Sequence, residues 1–263
     1  MNCHICSSIS GVFAQAKILG KHTIQYFRCS TCGFIQTETP YWLDEAYSKA
    51  ISDIDLGVVN RAITCARFTQ FLLLKGYDVR RPYIDYGGGY GMFTRLMRDL
   101  GFDFYRYDTY CQNTLAIGFD AEPVPNKQYE LLTAFEVFEH LSEPIRDIEH
   151  MLSYADNLLF TTELVPAHLP KPGEWWYYSL PSGQHIAFYT YEALAVIARR
   201  YSLNLYSNGS SLHVLSKKPL SPRLFKLLPH HKLTALATWW LRRTLPQQSL
   251  LSSDFERATG FKL

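Results

Sequence analysis

Four of the six cysteines have the spacing of a metal site. They form two C-x2-C pairs near the start of the chain, Cys3 with Cys6 and Cys29 with Cys32. Thiolates at this spacing lie at one tight turn and point at a common ion, and two such turns complete a tetrahedral all-sulfur site that suits Zn2+. Four ligands leave no open coordination position, so the sequence predicts a structural zinc ion in a ribbon over residues 1–40.

A glycine-rich turn follows the short apolar run YIDY, in the stretch YIDYGGGYGMF of residues 83–93. Apolar residues after the turn recur at helical spacing until Gly101, so the turn joins a strand to a helix. A dinucleotide loop needs a third glycine at position 92, which is Met92, and no G-K-[ST] of a P-loop follows. The pattern present is D-x-G-x-G-x-G, and its members are Asp85, Gly87, Gly89 and Gly91.

An acidic residue follows the next predicted strand. The segment FDFYRYD ends at Asp108, about 20 residues after the glycine turn, which is the offset at which an acid can hydrogen-bond ribose hydroxyls. Asp85 precedes the glycines, and its carboxylate would repel a pyrophosphate. The two aspartates therefore favour a ligand that carries a ribose and a partly cationic group.

Taken in order, YIDYGGGYGMF, YRYD and YELLTAFEVFEHL resemble the motifs of class I S-adenosylmethionine-dependent methyltransferases. The resemblance covers residues 81–216 and implies that Phe135 and Glu136, in the fourth-strand motif, line the cofactor pocket. With the four cysteines in front, the chain resembles the sugar and small-molecule methyltransferases that carry an N-terminal zinc domain. The resemblance implies S-adenosylmethionine as the cofactor, beside structural Zn2+.

The remaining elements predict an α/β fold with a doubly wound, Rossmann-like sheet. DNLLFTTELV is a further strand, Thr190 begins an amphipathic helix, and LNLYSNGSSLHVLSKK is a pair of antiparallel strands around an Asn-Gly turn. We expect a zinc ribbon over 1–40, a helical linker that covers the cofactor over 41–80, a methyltransferase domain over 81–216 and a basic helical tail over 217–263.

A long aromatic loop between that strand and the Thr190 helix is the expected acceptor site, because ligands bind at the carboxyl ends of such strands. Within it, Tyr177 and His185 are candidate catalytic residues, since an imidazole moves protons near neutral pH. The zinc-containing sugar C-methyltransferases carry a Glu-His pair here, whereas this chain has Gln184-His185. The missing carboxylate argues against abstraction of a carbon-bound proton and favours O-methylation.

The segment EVFEH places Glu136, Glu139 and His140 on one helical face. With a further histidine they could bind a divalent metal, as in the RNA 2′-O-methyltransferases that have an ExxEH motif. The alternative is that Glu139 and His140 cap and pack the turn, and the charge distribution supports it. The segment 217–263 carries nine Lys or Arg against two Asp or Glu, and subtracting this surplus of seven from the net +2 leaves −5 for residues 1–216, which disfavours nucleic acid.

The basic tail contains an amphipathic helix that ends at Arg242 and Arg243. Its predicted apolar face consists of Leu233, Leu236, Ala237, Trp240 and Leu241. We expect it to pack as a lid or an oligomer contact and to meet an anionic, sugar-like substrate, although it could also lie on a membrane surface. No apolar run reaches the length of a membrane span and no secretory signal is visible, which predicts a cytoplasmic protein.

Three functions follow from the sequence. The first is methylation of a sugar, nucleotide-sugar or related small molecule at oxygen or carbon. The second is metal-dependent RNA 2′-O-methylation through EVFEH. The third is a non-catalytic, methyltransferase-like scaffold that docks a partner through the ribbon, against which the complete glycine loop and Asp108 argue.

Overall fold

A computed structural model describes residues 1–48, 56–121, 128–227, 231–244 and 247–263. The strands are β1 Ser10–Ile18, β2 His22–Cys29, β3 Ile35–Thr37, β4 Tyr83–Tyr86, β5 Phe104–Tyr107, β6 Leu132–Ala134, β7 Asn157–Thr161, β8 Ala187–Phe188, β9 Asn204–Ser207 and β10 Leu212–Ser216. The helices are α1 Leu43–Ala46, α2 Val58–Gly76, α3 Met92–Asp99, α4 Pro144–Tyr154, α5 Tyr191–Arg200, α6 Pro222–Leu227, α7 His231–Thr244 and α8 Leu251–Thr259.

The chain forms two compact units, each made of three segments. Unit 1 consists of Met1–Ser52, Glu136–His150 and Leu159–Lys217, and unit 2 consists of Asp53–Phe135, Met151–Leu158 and Lys218–Leu263. A six-stranded sheet has the order β5-β4-β6-β7-β10-β9, in which β7 contributes residues to both units. The antiparallel pair of β10 with β9 confirms the predicted last strand of a doubly wound sheet.

In unit 2, β4 lies between two parallel neighbours. It pairs with β5 on one side and with β6 on the other, so that Asp85 is opposite Arg106 and also opposite Thr133. A strand with neighbours on both sides and helices around it is buried, which explains the apolar run Tyr83–Ile84. This register brings three polar side chains to one level beneath the glycine turn.

In unit 1, the N-terminal ribbon and the aromatic loop share one sheet. Strands β1, β2 and β3 form antiparallel pairs, and β8 from the loop adds to the free edge of β3. The ring of Tyr178 packs on Phe188 at 4.7 Å and on Tyr26 at 5.4 Å between ring centroids. The loop is therefore ordered in part by β8 and by a 3₁₀ turn at Trp176–Tyr178, where the sequence predicted irregular structure.

The prediction of which residues form the apolar face of α7 is wrong in part. Leu241 is buried as expected, but Leu236 and Trp240 are exposed, and Thr238 is buried instead. Helix α7 packs against α2, and this contact, rather than the helix's own pattern, decides which side is covered. The Leu233 side chain lies outside the described part of the structure. Among the residues that the structure describes, no helix has both the length and the apolar character of a membrane span.

Candidate functional site

The glycine turn in unit 2 runs from the end of β4 to the start of α3. Gly87, Gly89 and Gly91 all have left-handed backbone angles, with φ of +69°, +55° and +89°. A side chain at Gly91 would also lie 2.8 Å from Asn113 Oδ1, whereas one at Gly89 would meet nothing within 4 Å. Position 91 thus requires glycine, because the Asn113 side chain lies where a Cβ atom would be. At Gly89 the same space is open.

Asp108, directly after β5, holds the middle of this turn. Its Oδ2 accepts a hydrogen bond from the backbone N–H of Gly89 at 2.8 Å. Its Oδ1 accepts from the backbone N–H groups of Tyr110 and Cys111, both at 2.8 Å. A carboxylate offers about four lone-pair sites, so Asp108 keeps capacity to accept a further hydrogen bond from a ligand hydroxyl.

Asp85 is buried beneath the turn. Its Oδ1 accepts from the Thr133 hydroxyl at 2.9 Å, and its Oδ2 accepts from the Thr94 hydroxyl at 3.2 Å. Burial raises the pKa of Asp85 to about 7, because an ionised carboxylate is poorly solvated there. The charge of Asp108 raises this pKa further, while the hydroxyl groups and Arg106 lower it. The role of Asp85 as a cofactor-binding residue stays a prediction; the hydrogen bonds described here come from Thr94 and Thr133.

Arg106, in the middle of β5, was missed by the sequence analysis. This buried guanidinium donates through Nε to the carbonyl of Gly89 at 2.6 Å and through Nη1 to Asp120 at 2.8 Å, and it also donates to the carbonyl of Cys111. It therefore holds the carbonyl of Gly89, whose N–H is held by Asp108. An arginine within the strand FYRY looks like an outward-facing surface residue, and only its contacts with Gly89, Cys111 and Asp120 reveal its role.

Phe135 follows β6 and packs in unit 2 between two other rings. Its centroid lies 4.9 Å from that of Phe93 and 5.7 Å from that of Phe68, both edge to face. The next residue, Glu136, begins a segment of unit 1 and has a left-handed φ of +55°. Its backbone N–H donates to Thr161 Oγ1, which donates in turn to the Glu136 carboxylate, both at 2.9 Å. This pair stabilises a conformation that non-glycine residues rarely adopt.

Unit 1 brings Glu139, His140 and His185 together. One ligand atom from each lies within 4.8 Å of the others. The Glu139 carboxyl is fully buried, and neither of its oxygens has a hydrogen-bond partner among the residues that the structure describes. Burial raises the pKa of Glu139 well above its usual range, and the charge of Glu136 adds to the effect. The EVFEH motif and the aromatic loop thus meet, as their sequence positions alone did not indicate.

Both histidines are held by backbone carbonyls. The Nδ1 of His185 lies 2.6 Å from the carbonyl of Tyr177, and the Nδ1 of His140 lies 3.0 Å from that of Gln184 and 2.9 Å from the Tyr47 hydroxyl. A carbonyl only accepts, so each Nδ1 carries the hydrogen and each Nε2 carries the lone pair. Burial lowers the pKa of His140 to about 4, which keeps this ring neutral.

Tyr177 and Gln184 complete the surroundings of this cluster. The Tyr177 hydroxyl lies 3.2 Å from that of Thr162, and burial raises the pKa of Tyr177 well above its usual range. This phenol therefore acts as a neutral hydrogen-bond donor. The Gln184 amide donates to the carbonyl of Ala46 at 2.8 Å, so it anchors α1. The carboxylate near His185 comes from Glu139 rather than from position 184.

The four N-terminal cysteines also come together, with their sulfur atoms within 4.8 Å of one another. The Sγ–Sγ distances are 3.6 Å for Cys3–Cys32, 3.4 Å for Cys6–Cys29 and 3.6 Å for Cys6–Cys32. A tetrahedral ion with bonds of about 2.3 Å places its sulfur ligands roughly 3.8 Å apart. Backbone N–H groups of Ile5 and Thr31 point at Cys3 and Cys29 Sγ, each at 3.4 Å. The donor set fits a closed Zn2+ site.

A family model described as a methyltransferase domain matches residues 60–208, more than half of the chain. No curated protein sequence is significantly similar to this chain. Among solved structures, TnmH is 17% identical with a TM-score of 0.45, over 67% of this chain and 61% of its own. An O-methyltransferase family 2 protein of Planctomyces limnophilus in complex with apigenin is 16% identical with a TM-score of 0.45, over 66% of this chain and 65% of its own. Magnesium protoporphyrin IX methyltransferase of Synechocystis with bound SAH is 14% identical with a TM-score of 0.42, over 66% of this chain and 92% of its own. The chain spans about three fifths of the length of TnmH.

Proposed function

Because this chain belongs to the family of methyltransferase domains, we propose that it transfers a methyl group from S-adenosylmethionine to a hydroxyl of a small molecule. The glycine turn held by Asp108 is the observation that carries the proposal. The turn lies at the carboxyl end of a buried parallel strand, which is where ligands bind in sheets of this kind.

The residues of unit 2 would hold the cofactor. The Asp108 carboxylate has lone pairs left for ribose hydroxyls, and the open side of Gly89 admits a ligand close to the backbone. Phe135 offers an aromatic face, and Glu136 is proposed as a further lining residue. Asp85 supports the turn from below through Thr94 and Thr133. When bound, S-adenosylmethionine supplies an electrophilic methyl group on a sulfonium.

The acceptor side is assigned to the cluster of Glu139, His140, His185 and Tyr177. The lone pair on His185 Nε2 can draw the proton from a hydroxyl, and the Tyr177 phenol can donate a hydrogen bond. A carboxyl group, that of Glu139, lies in this cluster although position 184 is a glutamine. Transfer is then an in-line displacement at the methyl carbon, in which the positioning of the two reactants contributes most of the rate.

A sugar or nucleotide-sugar acceptor is proposed on two grounds. The four-cysteine ribbon gives the chain its resemblance to zinc-containing sugar methyltransferases. The aromatic loop carries Trp176, whose ring is 74% exposed and can stack on a sugar face. The Cys3, Cys6, Cys29 and Cys32 cluster would hold structural Zn2+ and thereby fix β3, the strand on which the loop forms β8.

The direct experiment is transfer of a labelled methyl group from S-adenosylmethionine to a panel of free sugars, sugar phosphates and nucleotide-sugars. The proposal expects label in at least one sugar-containing product and at least a 100-fold lower kcat for His185→Gln. Trp176→Leu should raise KM with kcat retained, because it removes binding surface only. Label transfer to planar phenols but to no sugar would contradict the acceptor class while leaving the methyltransferase assignment in place.

RNA 2′-O-methylation is the second candidate, and the closeness of Glu139, His140 and His185 favours it. The charge of −5 on residues 1–216, which follows from the composition, disfavours an RNA partner. A labelled-methyl assay with short RNAs at low salt separates the two, since RNA binding through phosphates would weaken steeply as salt is raised.

A further inference from the structure

The Glu139 carboxyl is poorly satisfied among the described polar groups of unit 1. It is fully buried, and neither oxygen accepts a hydrogen bond from any residue in the described part of the chain. The nearest hydroxyl groups, those of Thr162 and Tyr177, lie 3.2 Å from each other. The Thr162 and Tyr177 hydroxyl groups lower the pKa of Glu139, but neither makes a well-aligned hydrogen bond to it. A buried carboxyl so weakly satisfied is costly, and a group that offers positive charge would satisfy it.

Two imidazole rings are oriented by backbone carbonyls at the same place. The carbonyls of Gln184 and Tyr177 fix the Nδ1 hydrogens of His140 and His185, and this leaves the lone pair of each ring on Nε2. Metal-binding histidines are commonly oriented in this way, with the other ring N–H donated to a carbonyl or carboxylate. The ring centroids of His140 and His185 lie 4.9 Å apart, edge to face.

The three side chains come from two parts of the sequence, the EVFEH motif and the aromatic loop, and converge in unit 1. Their ligand atoms lie within 4.8 Å of one another. An ion at about 2.1 Å from each ligand in a tetrahedral arrangement would place those atoms about 3.4 Å apart, which lies inside the 4.8 Å limit that they satisfy. Two imidazoles and one carboxylate suit Mn2+, Co2+ or Zn2+ rather than Mg2+ or Ca2+.

We infer that Glu139, His140 and His185 bind a divalent transition-metal ion, at a site separate from the four cysteines. Three protein ligands leave coordination positions open, in contrast to the closed sulfur site. The catalytic consequence rests on the proposed function: an acceptor hydroxyl bound to the ion loses its proton to solvent more readily. The resulting alkoxide oxygen bonds to the methyl carbon as the carbon–sulfur bond breaks, and the sulfonium becomes a neutral thioether. His185 then acts as a ligand rather than as the proton acceptor.

The test uses the full-length protein with its cysteine site loaded with zinc. Mn2+ is the probe, because thiolates do not select it and its free ion gives a sharp electron paramagnetic resonance signal. We expect one Mn2+ per chain, displaced by added Zn2+, and at least 10-fold weaker binding in Glu139→Gln and in His185→Gln. Glu163→Gln is the matched control, since Glu163 lies in the same unit outside the cluster, and it should bind Mn2+ like the wild type.

The inference is overturned if millimolar Mn2+ stays free and total zinc saturates at one ion per chain. It is also overturned if both variants bind Mn2+ as the wild type does. Zinc retained at the cysteines shows that each variant is folded. Loss of this site would leave binding of S-adenosylhomocysteine unaffected, whereas failure of the proposed function would appear as absence of that binding, so the two failures are distinguishable.

Discussion

Asp108 and Gly89 are joined by a hydrogen bond of 2.8 Å from the backbone N–H of the glycine to Oδ2 of the aspartate. This contact links the end of β5 to the middle of the glycine turn after β4. The same carboxylate accepts two further backbone N–H groups at the turn that follows it. One side chain thus fixes both loops at the edge of the sheet where the cofactor is proposed to bind.

Replacement of this carboxylate should weaken cofactor binding. In Asp108→Asn the amide nitrogen cannot accept a hydrogen bond. Either the Gly89 N–H or the Tyr110 and Cys111 N–H groups therefore lose their acceptor, and the side chain also loses its charge. A hydrogen bond to a charged group contributes about 1.5–3 kcal/mol, so we expect S-adenosylhomocysteine affinity to fall roughly 10- to 100-fold by calorimetry. Asp44→Asn, at an exposed position of α1, is the control. Equal affinities in the two variants would contradict the role of Asp108.

Arg106 should matter for stability as well as for binding. Arg106→Met keeps the apolar part of the side chain but removes the hydrogen bonds to the carbonyl of Gly89 and to Asp120 Oδ1, so that Asp120 keeps only the Asn113 amide as a donor. Because Asp120 is half exposed, we expect a loss of about 2 kcal/mol in the free energy of unfolding. Urea denaturation measures it. Arg146→Met, which removes an exposed pair with Glu143, should change stability by less than about 0.5 kcal/mol. Equal losses would contradict the account.

Asp85 should make stability depend on pH in an identifiable window. Burial raises its pKa to about 7 in the folded protein, against about 3.9 when unfolded. Between these values the folded state binds the extra proton, so the free energy of unfolding falls as pH rises from 4 to 7 and this contribution is then constant. Asp85→Asn lacks the titration. Its stability relative to the wild type should therefore rise across this window, by at most about 4 kcal/mol.

Urea denaturation of both proteins at pH 4, 5.5, 7 and 8 measures this difference, and other titrating groups cancel in the comparison. Asp44→Asn serves again as the control, with a pH-independent difference expected. A constant offset between Asp85→Asn and the wild type across the window would mean that the carboxyl is ionised throughout and that Thr94 and Thr133 compensate for its burial.

The cysteine cluster should support the aromatic loop as well as the ribbon. The Thr190 hydroxyl donates to the carbonyl of Cys32 at 2.5 Å, and β8 pairs with β3. We expect Cys6→Ser to lose most of its zinc and to expose the loop to protease, because the edge strand that orders it is no longer fixed. Metal analysis and limited proteolysis are the measurements. Cys111→Ser, which changes a cysteine outside the cluster, should keep both properties, and full protection of the loop in Cys6→Ser would contradict the link.

Local patterns in the sequence were enough for the fold and the family. The resemblance to class I S-adenosylmethionine-dependent methyltransferases and the doubly wound sheet are confirmed, since the glycine turn and the Asn-Gly hairpin encode their own geometry. The close approach of Cys3, Cys6, Cys29 and Cys32 is also as the spacing predicted. These features depend on residues that are near one another in the chain.

Features that depend on distant contacts could not be predicted. Strand β8 has two residues, too few for an alternating pattern, and forms because β3 offers a free edge. The burial of Arg106 depends on Asp120, and the surroundings of Glu139 depend on His185, 46 positions later in the sequence. The covered side of α7 is decided by α2. In each case the decisive partner is a separate element.

Binding of S-adenosylhomocysteine to the purified, zinc-loaded protein tests the central claim most directly. Isothermal titration calorimetry should show one site per chain with a dissociation constant in the micromolar range, and Asp108→Asn should weaken it under the same conditions. Absence of heat and of any thermal stabilisation at millimolar ligand, with circular dichroism showing a folded protein, would contradict the assignment of the glycine turn as a cofactor site.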